Sequence, residues 1–269
     1  IRRPPRSTQG VSSAASDVYK RQVFNALHGQ FGEDGYIQTI LEGFKIPYTH
    51  SGVIASSLAM DKAISKKIFI KNKINTPKYI KYSYEKNYSD LIKNIEKKLK
   101  FPVVIKPINE GSSVNVFICT KKNILRILNS MKLYKEIIVE EFIGGREIQV
   151  AIMGNKKLGA IELKPKRKFY DYQAKYNTNA KTEHIIPVDL PKNQLNKVMN
   201  LSLKAHKIIG CKGVTRSDFK FYRNKFYLLE INTQPGMTKL SLVPEIAKYK
   251  GISFIKLIEW ILNDATAKK

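Results

Sequence analysis

The clearest hydrophobic pattern in the chain is a pair of short alternating runs near its C-terminal end. Residues Ser217 to Tyr222 and Phe226 to Ile231 alternate polar and apolar side chains, and the polar triplet 223–225 separates them. Two such runs joined by so short a polar segment predict a β-hairpin, here with its turn centred on Asn224. One face of this hairpin would pack into a core, and it would carry Phe219, Phe221, Tyr227, Leu229 and Ile231.

The opposite face of the predicted hairpin carries charged and amide side chains. In this register Asp218 lies opposite Glu230, and Arg216 lies opposite Asn232. Opposed side chains are about 5 Å apart at Cβ, so two carboxylates there repel and raise each other's pKa. A divalent cation removes this repulsion, and two carboxylates with an amide oxygen suit Mg²⁺ shared with phosphates, while Arg216 offers donors to an anion. The alternative is a surface hairpin with an ordinary ion pair.

Elsewhere the chain shows helical periodicity separated by short apolar runs. Apolar residues recur at the spacing of an amphipathic helix over 36–44, 56–73, 88–100, 123–133, 192–209 and 252–262. Runs typical of strands lie over 23–27, 46–52, 101–107 and 136–152, the last with two strands around Gly144 and Gly145. A chain of 269 residues with this pattern is expected to fold into two or three lobes.

The segment that follows the strand 101–107 is a candidate phosphate-binding loop. Lys106 lies near the end of that strand, and Gly111, Ser112 and Ser113 precede the next apolar run. Backbone N–H groups and hydroxyls in such a loop can approach an anion without steric hindrance. An ordinary hairpin turn explains the same residues, so this motif alone does not define a site.

The segment 164–187 has no useful periodicity. An unstructured connection of more than 20 residues is uncommon inside a compact domain, where it is usually a lid or disordered. Tyr170, Tyr172 and Tyr176 surround Lys175 in this segment, which favours a lid that packs over a site.

Composition and charge narrow the possible functions. The chain is 43% hydrophobic and 26% charged, and no apolar run approaches the ~20 residues of a membrane span, so we expect a globular protein outside the membrane. The net charge of +26 comes mostly from lysines scattered along the chain, without a nucleic-acid-binding motif, which favours small anionic ligands over nucleic acid. Cys119 and Cys211 lack metal spacing and are expected to be buried and reduced, as in the cytosol.

The first 22 residues differ in composition from the remainder. They contain four Arg and one Lys, whereas the rest of the chain contains five Arg and 38 Lys. They also lack apolar periodicity and an apolar signal-peptide core. We therefore expect residues 1–22 to be foreign or disordered and exclude them from the analysis of the fold.

Eight sequence blocks, in their order along the chain, resemble the D-alanine–D-alanine ligase family of the ATP-grasp superfamily. They are LHGQFGEDG, SGVIASSLAMDK, VVIKPINEGSSV, IVEEFIGGREIQVA, FYDYQAKY, GCKGVTRSDF, FYLLEINTQPGMT and SLVPE. The resemblance implies an α/β fold with α+β lobes, the ATP-grasp fold. Its expected parts are the segment 1–22, a remnant of an N-terminal parallel-sheet substrate domain over 23–60, a central lobe over 61–142 and a C-terminal lobe over 143–269.

The resemblance also implies an activity. Such an enzyme uses ATP to phosphorylate the carboxylate of one D-alanine, and the amine of a second D-alanine attacks the acyl phosphate. The products are D-Ala-D-Ala for peptidoglycan, ADP and phosphate. The implied cofactors are ATP and two Mg²⁺ ions, with Mn²⁺ as a possible substitute, and the implied setting is a cytoplasmic homodimer.

The family motifs assign roles to individual residues. The resemblance implies that the nucleotide is held by Lys62, Lys106, Ser113, Glu140, Glu141, Ile143, Glu147 and Lys175, with Glu147 at the ribose. It implies that the metal ions are held by Asp218, Glu230 and Asn232, and that catalysis depends on Ser112, Tyr176, Arg216 and Gly236. His28 would face the first D-alanine, and Ser241 with Leu242 would face the second.

One departure from the family pattern affects the expected activity. The family begins with a strand and a glycine-rich loop whose Glu binds the amine of the first substrate, and no counterpart is found here. We therefore expect an N-terminally truncated chain with impaired activity. Two other interpretations remain open, namely a related carboxylate–amine ligase that accepts D-lactate or D-serine, and a non-catalytic basic binding protein.

Overall fold

The computed structural model describes residues 22–84, 87–111, 114–165, 182–238, 240–267 and 269. The helices in these ranges are α1 (Tyr36–Gly43), α2 (Val53–Met60), α3 (Lys62–Lys71), α4 (Tyr88–Lys98), α5 (Ile124–Ser130), α6 (Lys192–Ile209), α7 (Leu242–Tyr249) and α8 (Phe254–Asn263). The strands are β1 (Tyr79–Ser83), β2 (Val103–Pro107), β3 (Phe117–Cys119), β4 (Glu136–Glu141), β5 (Arg146–Met153), β6 (Lys156–Pro165), β7 (Thr182–Ile185), β8 (Val214–Tyr222) and β9 (Lys225–Asn232).

A four-stranded antiparallel sheet forms the smaller lobe. Its strand order is β1-β4-β2-β3, and α4 and α5 cover one face. Ile105 of β2 and Ile137 of β4 pack against Ile95 of α4 and Leu128 of α5, all fully buried. Because side chains alternate along each strand, the residues between these core positions face the other way.

A five-stranded antiparallel sheet forms the larger lobe, with strand order β7-β6-β5-β8-β9. Helices cover both of its faces. Ile148, Val150 and Ile152 of β5 pack toward α2, α3 and α6, whereas Ala151 and Met153 pack toward α7 and α8. The long buried run of β5 follows from this double cover, because a strand buried on both faces needs apolar residues at successive positions.

The structure confirms most predicted elements but breaks the predicted helix 56–73 at Asp61. Asp61 has an extended backbone, and its carboxylate accepts hydrogen bonds from the N–H groups of Ala63 and Ile64. It is thus the N-cap of α3, which begins at Lys62. The break lets α2 and α3 take different directions, and it places Lys62 at a helix start.

Two further expectations about connections are corrected. The strands on either side of Gly144 and Gly145 do not form a hairpin, because β4 belongs to the smaller sheet and β5 to the larger one. The glycine pair is therefore a crossing between lobes. The segment 164–187 is not structureless at its ends, since β6 extends to Pro165 and β7 begins at Thr182. Residues 166–181 lie outside the described residues.

Three smaller points concern the burial and ends of the chain. Cys119 and Cys211 are buried free thiols, as predicted. The predicted strands over 23–27 and 46–52 are not formed; only an isolated parallel bridge joins Val23 to Tyr48, which also bridges Thr266 near the C-terminal end. No helix in the described part of the chain is long and apolar enough to cross a membrane.

We expect the buried histidine of α6 to make stability depend on pH. Its ring hydrogen-bonds to Thr215 Oγ1 at 2.8 Å, and burial lowers the pKa of His206 to about 4. In the unfolded chain the pKa of this histidine returns to about 6.5. Between about pH 4 and pH 6.5 the unfolded chain therefore binds a proton at His206 that the folded chain does not bind. Stability is therefore retained above pH 6.5 and lost as pH falls toward 4.

His206→Gln tests this expectation. The amide of glutamine does not titrate. When the pH is lowered from 7 to 4.5, the free energy of unfolding should therefore decrease by about 1–3 kcal/mol less in the variant than in the wild type. Urea denaturation at several pH values gives the comparison. Parallel pH profiles for the two proteins would contradict it.

Candidate active site

A cavity of about 830 Å³ lies between the two sheets. The smaller lobe contributes Val104, Lys106 and Glu140, and the larger lobe contributes Glu147 and Asp218 among others. The crossing segment from Phe142 to Gly145 forms part of the wall, since it passes from one sheet to the other. This volume is typical of sites for cofactors and small molecules.

The polar face of the β8–β9 hairpin has the predicted register. Asp218 pairs with Glu230, and Arg216 pairs with Asn232. The turn differs from the prediction, because Tyr222 pairs with Lys225 and only two residues connect the strands. The two connecting residues, Arg223 and Asn224, have positive φ angles of 47° and 59°. A tight hairpin turn with the favoured twist requires positive φ at both positions.

A β-bulge reconciles this shorter turn with the predicted pairs. The register shifts between Asp218 and Phe219, so Leu229 is an extra residue between Leu228 and Glu230. Leu229 and Glu230 both line the cavity. The expectation that Tyr227 and Leu229 lie on the core face is wrong.

The residues that occupy the core instead are Phe226 and Leu228, which are 1% and 0% exposed. They pack in the same cluster as Phe219, and Ile231 rejoins that cluster beyond the bulge. Compared with the predicted three-residue turn, the two-residue turn shifts the pairing of β9 by one residue, so its side chains exchange faces between Phe226 and Leu228. The bulge at Leu229 shifts the pairing back, and Glu230 returns to the predicted face.

The opposed carboxylates of the hairpin are both near cations. Arg216 donates from Nε and Nη2 to the two oxygens of Asp218, at 2.8 and 2.9 Å. Lys62 Nζ lies 3.8 Å from Glu230 Oε2. Asn232 Nδ2 donates to the carbonyl oxygen of Arg216 at 3.5 Å, so all four predicted polar residues come together.

This donor set fits a hard divalent cation. Two carboxylates face each other across the ladder, and Asn232 adds an amide oxygen on the same face. The described residues contain no group of three or more His, Cys, Asp or Glu side chains placed to hold a metal. A cation here would therefore depend on further oxygen ligands, as Mg²⁺ does when it is shared with phosphates.

A second charged group lies on the smaller lobe. Glu140 is 2% exposed, and its two oxygens lie 3.1 Å from Lys66 Nζ and 3.0 Å from Lys106 Nζ. Burial by itself would raise the pKa of Glu140, but Lys106 and Lys66 outweigh that effect and hold the pKa below its ordinary value. The carboxylate is therefore ionised within the wall of the cavity. Lys66, which lies one helical turn after Lys62, was not among the predicted site residues.

Glu147 faces the cavity from β5. It pairs across the ladder with Lys220, whose Nζ donates to Glu147 Oε2 at 3.0 Å, and Gln149 Nε2 donates to Oε1 at 3.2 Å. Of the other predicted nucleotide residues, Glu141 and Ile143 also line the cavity. Lys220 and Gln149 were not among the predicted site residues, although each lies two positions after one of them on its strand and therefore on the same face.

The predicted substrate residues lie beside the hairpin rather than in the cavity wall. Burial lowers the pKa of His28, and the charge of Arg216 lowers it further. Gln234 holds that loop, because it donates to the carbonyl oxygen of Leu27 and accepts from Asn25 Nδ2 at 2.6 Å. No pattern in the sequence predicts this contact between distant segments.

The loop after β9 brings the remaining predicted residues together. A Cβ at Gly236 would lie 2.9 Å from Ser241 Oγ, so a larger residue there would require the Ser241 side chain to move. Ser241 Oγ accepts a hydrogen bond from the Thr238 N–H at 2.9 Å. The side chain of Leu242 is buried in the core, so only its backbone is available to a ligand.

Glu33 was not among the predicted site residues, yet it lies close to this site. Its carboxylate accepts a hydrogen bond from the Gly29 N–H at 2.9 Å, and a Cβ at Gly111 would lie 2.9 Å from it. The pKa of Glu33 is raised to about 7, chiefly by burial and also by the charge of Glu230, while the Gly29 N–H, Lys62 and Arg216 oppose the shift. The predicted residues Ser112, Ser113, Lys175 and Tyr176 lie outside the described residues.

Two antiparallel sheets with a charged cavity between them define the class of the protein as an ATP-grasp enzyme. The family described as D-ala D-ala ligase C-terminus matches residues 68–263. The chain belongs to the D-alanine–D-alanine ligase family, and it is an ATP-dependent ligase of that family.

Curated relatives are similar over most of the chain. The D-alanine–D-alanine ligase of Pelagibacter ubique is 72% identical over 262 residues, which cover 97% of this chain and 85% of that protein. The D-alanine–D-alanine ligase of Wolbachia pipientis wMel is 46% identical over 91% of this chain and 78% of its own length. The match to the Pelagibacter protein extends into the first 22 residues, which gives no support to the expectation that they are foreign.

Solved structures share the fold. A D-alanine–D-alanine ligase from Bacillus anthracis superposes with a TM-score of 0.80 at 36% identity, over 90% of this chain and 79% of that one. Its complex with ATP gives a TM-score of 0.76 at 32% identity, over 90% and 77%. A VanG D-Ala:D-Ser ligase from Enterococcus faecalis gives 0.80 at 29% identity, over 90% and 72%.

The bulge predicts opposite outcomes for two neighbouring leucines. Leu228→Ala leaves a gap in the core and should lower the free energy of unfolding by about 2–5 kcal/mol. Leu229→Ala removes a side chain from the cavity wall and should cost less than about 1.5 kcal/mol, while weakening the binding of a nucleotide. Urea denaturation of both variants decides this, and a larger loss for Leu229→Ala would show that the bulge is misplaced.

Proposed function

We propose that this chain joins two D-alanine molecules into D-Ala-D-Ala at the expense of ATP. The observation that carries this proposal is the meeting of two charge groups in one cavity. Glu140 with Lys106 comes from the smaller lobe, and Asp218 with Glu230 comes from the larger one. A polyphosphate with a divalent cation fits between them, because phosphoryl transfer needs positioning and neutralisation of charge.

The nucleotide would lie along the wall formed by the crossing between lobes. We assign its binding to Glu140, Glu141, Ile143 and Glu147 in this wall, with Glu147 at the ribose. Lys62 and Lys106 would supply positive charge toward the phosphates, since both residues line the cavity. Ser113 and Lys175 complete the proposed set on the evidence of the sequence motifs.

Asp218, Glu230 and Asn232 would hold two Mg²⁺ ions, or Mn²⁺ in their place. The bound ions neutralise phosphate charge and orient the group that is transferred. The cross-strand register supports this assignment, because it brings the two acids and the amide oxygen to one face. Arg216 already neutralises Asp218 and is near enough to donate to an oxyanion as well.

The reaction would proceed through an acyl phosphate. The carboxylate of the first D-alanine takes the γ-phosphoryl group and ADP leaves. The amine of the second D-alanine then forms the peptide bond, phosphate departs with the electrons of the C–O bond, and one proton is released. Arg216 and the Gly236 backbone would stabilise the developing oxyanion, His28 would contact the first substrate, and Ser241 with Leu242 would contact the second.

Further parts of the proposal rest on the family motifs. Ser112 and Tyr176 would complete the catalytic set from the loop and the lid. We propose lobes over 61–142 and 143–269, with residues 23–60 belonging to a substrate domain. We also propose that the enzyme is a cytoplasmic homodimer that supplies peptidoglycan synthesis.

A second substrate pair has a specific observation in its favour. The VanG D-Ala:D-Ser ligase has the same fold score as the D-alanine–D-alanine ligase of Bacillus anthracis. The fold therefore does not distinguish D-alanine from D-serine as the second substrate. We favour D-alanine because the curated relatives at 72% and 46% identity bear that name.

Release of ADP in the presence of Mg²⁺ and different acceptors tests the function. We expect ADP and D-Ala-D-Ala with D-alanine alone, and little mixed product when D-serine or D-lactate is added in equal amount. The Pelagibacter enzyme is the positive control. ADP release that needs D-serine or D-lactate would replace the proposed acceptor, and failure to bind ADP would refute the proposal.

The metal assignment predicts the effect of a nearly isosteric change. Glu230→Gln keeps the shape but removes one anionic ligand, so Mg²⁺-dependent nucleotide affinity should fall by about tenfold or more. Glu136→Gln is the matched control, since Glu136 is an exposed acid at the far end of β4. Titration of ADP with and without Mg²⁺ measures the effect. Equal Mg²⁺ dependence in both variants would contradict the assignment.

A further inference from the structure

The most buried cation beside the cavity is a lysine to which no role has been assigned. Lys66 is 0% exposed and does not line the cavity, yet its Nζ lies 3.1 Å from Glu140 Oε1. Its second partner is Thr76, whose Oγ1 accepts a hydrogen bond at 2.7 Å. A fully buried lysine is costly unless it is paired and hydrogen-bonded, so its retention in this position calls for a specific effect.

We propose that Lys66 is a positioning residue for the phosphates of the nucleotide, which it serves through Glu140 and Lys106. The inference rests on the proposed function, since it assigns Lys106 to a phosphate. Lys66 compensates one oxygen of Glu140, and Lys106 is bound to the other. The three groups carry a net charge of +1, whereas Glu140 and Lys106 alone would be a neutral pair.

This arrangement determines what the cavity offers to an anion. Glu140 holds the ammonium group of Lys106 by an ion pair of 3.0 Å between Oε2 and Nζ. With Lys66 present, this ion pair does not neutralise the set of three residues. Burial lowers the pKa of Lys66 to about 8, and Glu140 opposes that shift, so the lysine is mostly protonated at pH 7. Because Lys66 and Glu140 are shielded from water, the excess positive charge of the three residues attracts an anion more strongly than the charge of an exposed lysine would.

The ion pair of Lys66 also joins helix α3 to the smaller sheet behind the site. Helix α3 packs by Phe69 into the core of the larger sheet, whereas Ala63 packs with Ile138 of β4 in the smaller one. The Lys66–Glu140 ion pair therefore joins a helix of one core to a strand of the other. Lys62 lies one turn earlier on the same helix, 3.8 Å from Glu230.

Binding of ADP and of adenosine to the 269-residue chain tests the inference. Lys66→Met removes the charge and keeps the length of the side chain, so ADP affinity should fall by about tenfold to a hundredfold, the range for a charged hydrogen bond. Adenosine affinity should change by less than about twofold, because adenosine has no phosphate. Lys67→Met, which removes an exposed charge from the same helix, should change neither affinity.

A second variant covers the case in which Lys66→Met does not fold. Thr76→Val removes only the oxygen that holds Lys66 Nζ, and it should weaken ADP by about threefold to tenfold with no change for adenosine. A double-mutant cycle with Lys106→Met measures the coupling. If Lys66 acts through Lys106, the second substitution should add less than about twofold to the loss caused by the first.

The outcomes separate this inference from the proposed function. If the wild-type chain does not bind ADP, the proposed function is refuted, and the inference falls with it. If the wild type binds ADP but Lys66→Met and Thr76→Val leave its affinity unchanged, only the inference is overturned. Equal losses for ADP and adenosine would show a purely structural role and would also overturn it.

Discussion

The ionised carboxylate of Glu140, buried between two ammonium groups, is the constraint on which the site depends. An unpaired charge at that depth would be costly, so the two lysines stabilise the buried carboxylate in its ionised form. Each lysine comes from a different element, Lys106 from β2 and Lys66 from α3. The same pairs that permit the burial therefore hold the smaller sheet against the helix that packs on the larger one.

The charges on the opposite wall follow another logic. Asp218 and Glu230 are forced together by the ladder, and Arg216 and Lys62 reduce their repulsion. This wall is a set of compensated acids that a cation can enter, whereas the wall around Glu140 has an excess of positive charge. A ligand with phosphates and a divalent cation matches both walls at once, which neither a simple anion nor a simple cation does.

The sequence predicted the parts of the site that short-range rules determine. Alternation on β8 and β9 gave the pairing of Asp218 with Glu230, and motif order gave the family. Lys66 was missed because periodicity places it on a helix but cannot show that β4 approaches that face with an acid. The glycine pair at 144–145 was predicted to lie in a turn between two strands, and only long-range packing assigns these strands to different sheets.

The bulge at Leu229 allows one strand to place Phe226 and Leu228 in the core and Glu230 in the site. With a two-residue turn and no bulge, Glu230 would pair with Ser217, whose side chain is fully buried, and the carboxylate would enter the core. One extra residue restores the pairing with Asp218 while Phe226 and Leu228 keep their core positions. A three-residue turn would give the same pairs, but the two positive-φ residues of the tight turn match the twist of the strands. The favoured turn and the required site are thus compatible only because the strand is irregular between them.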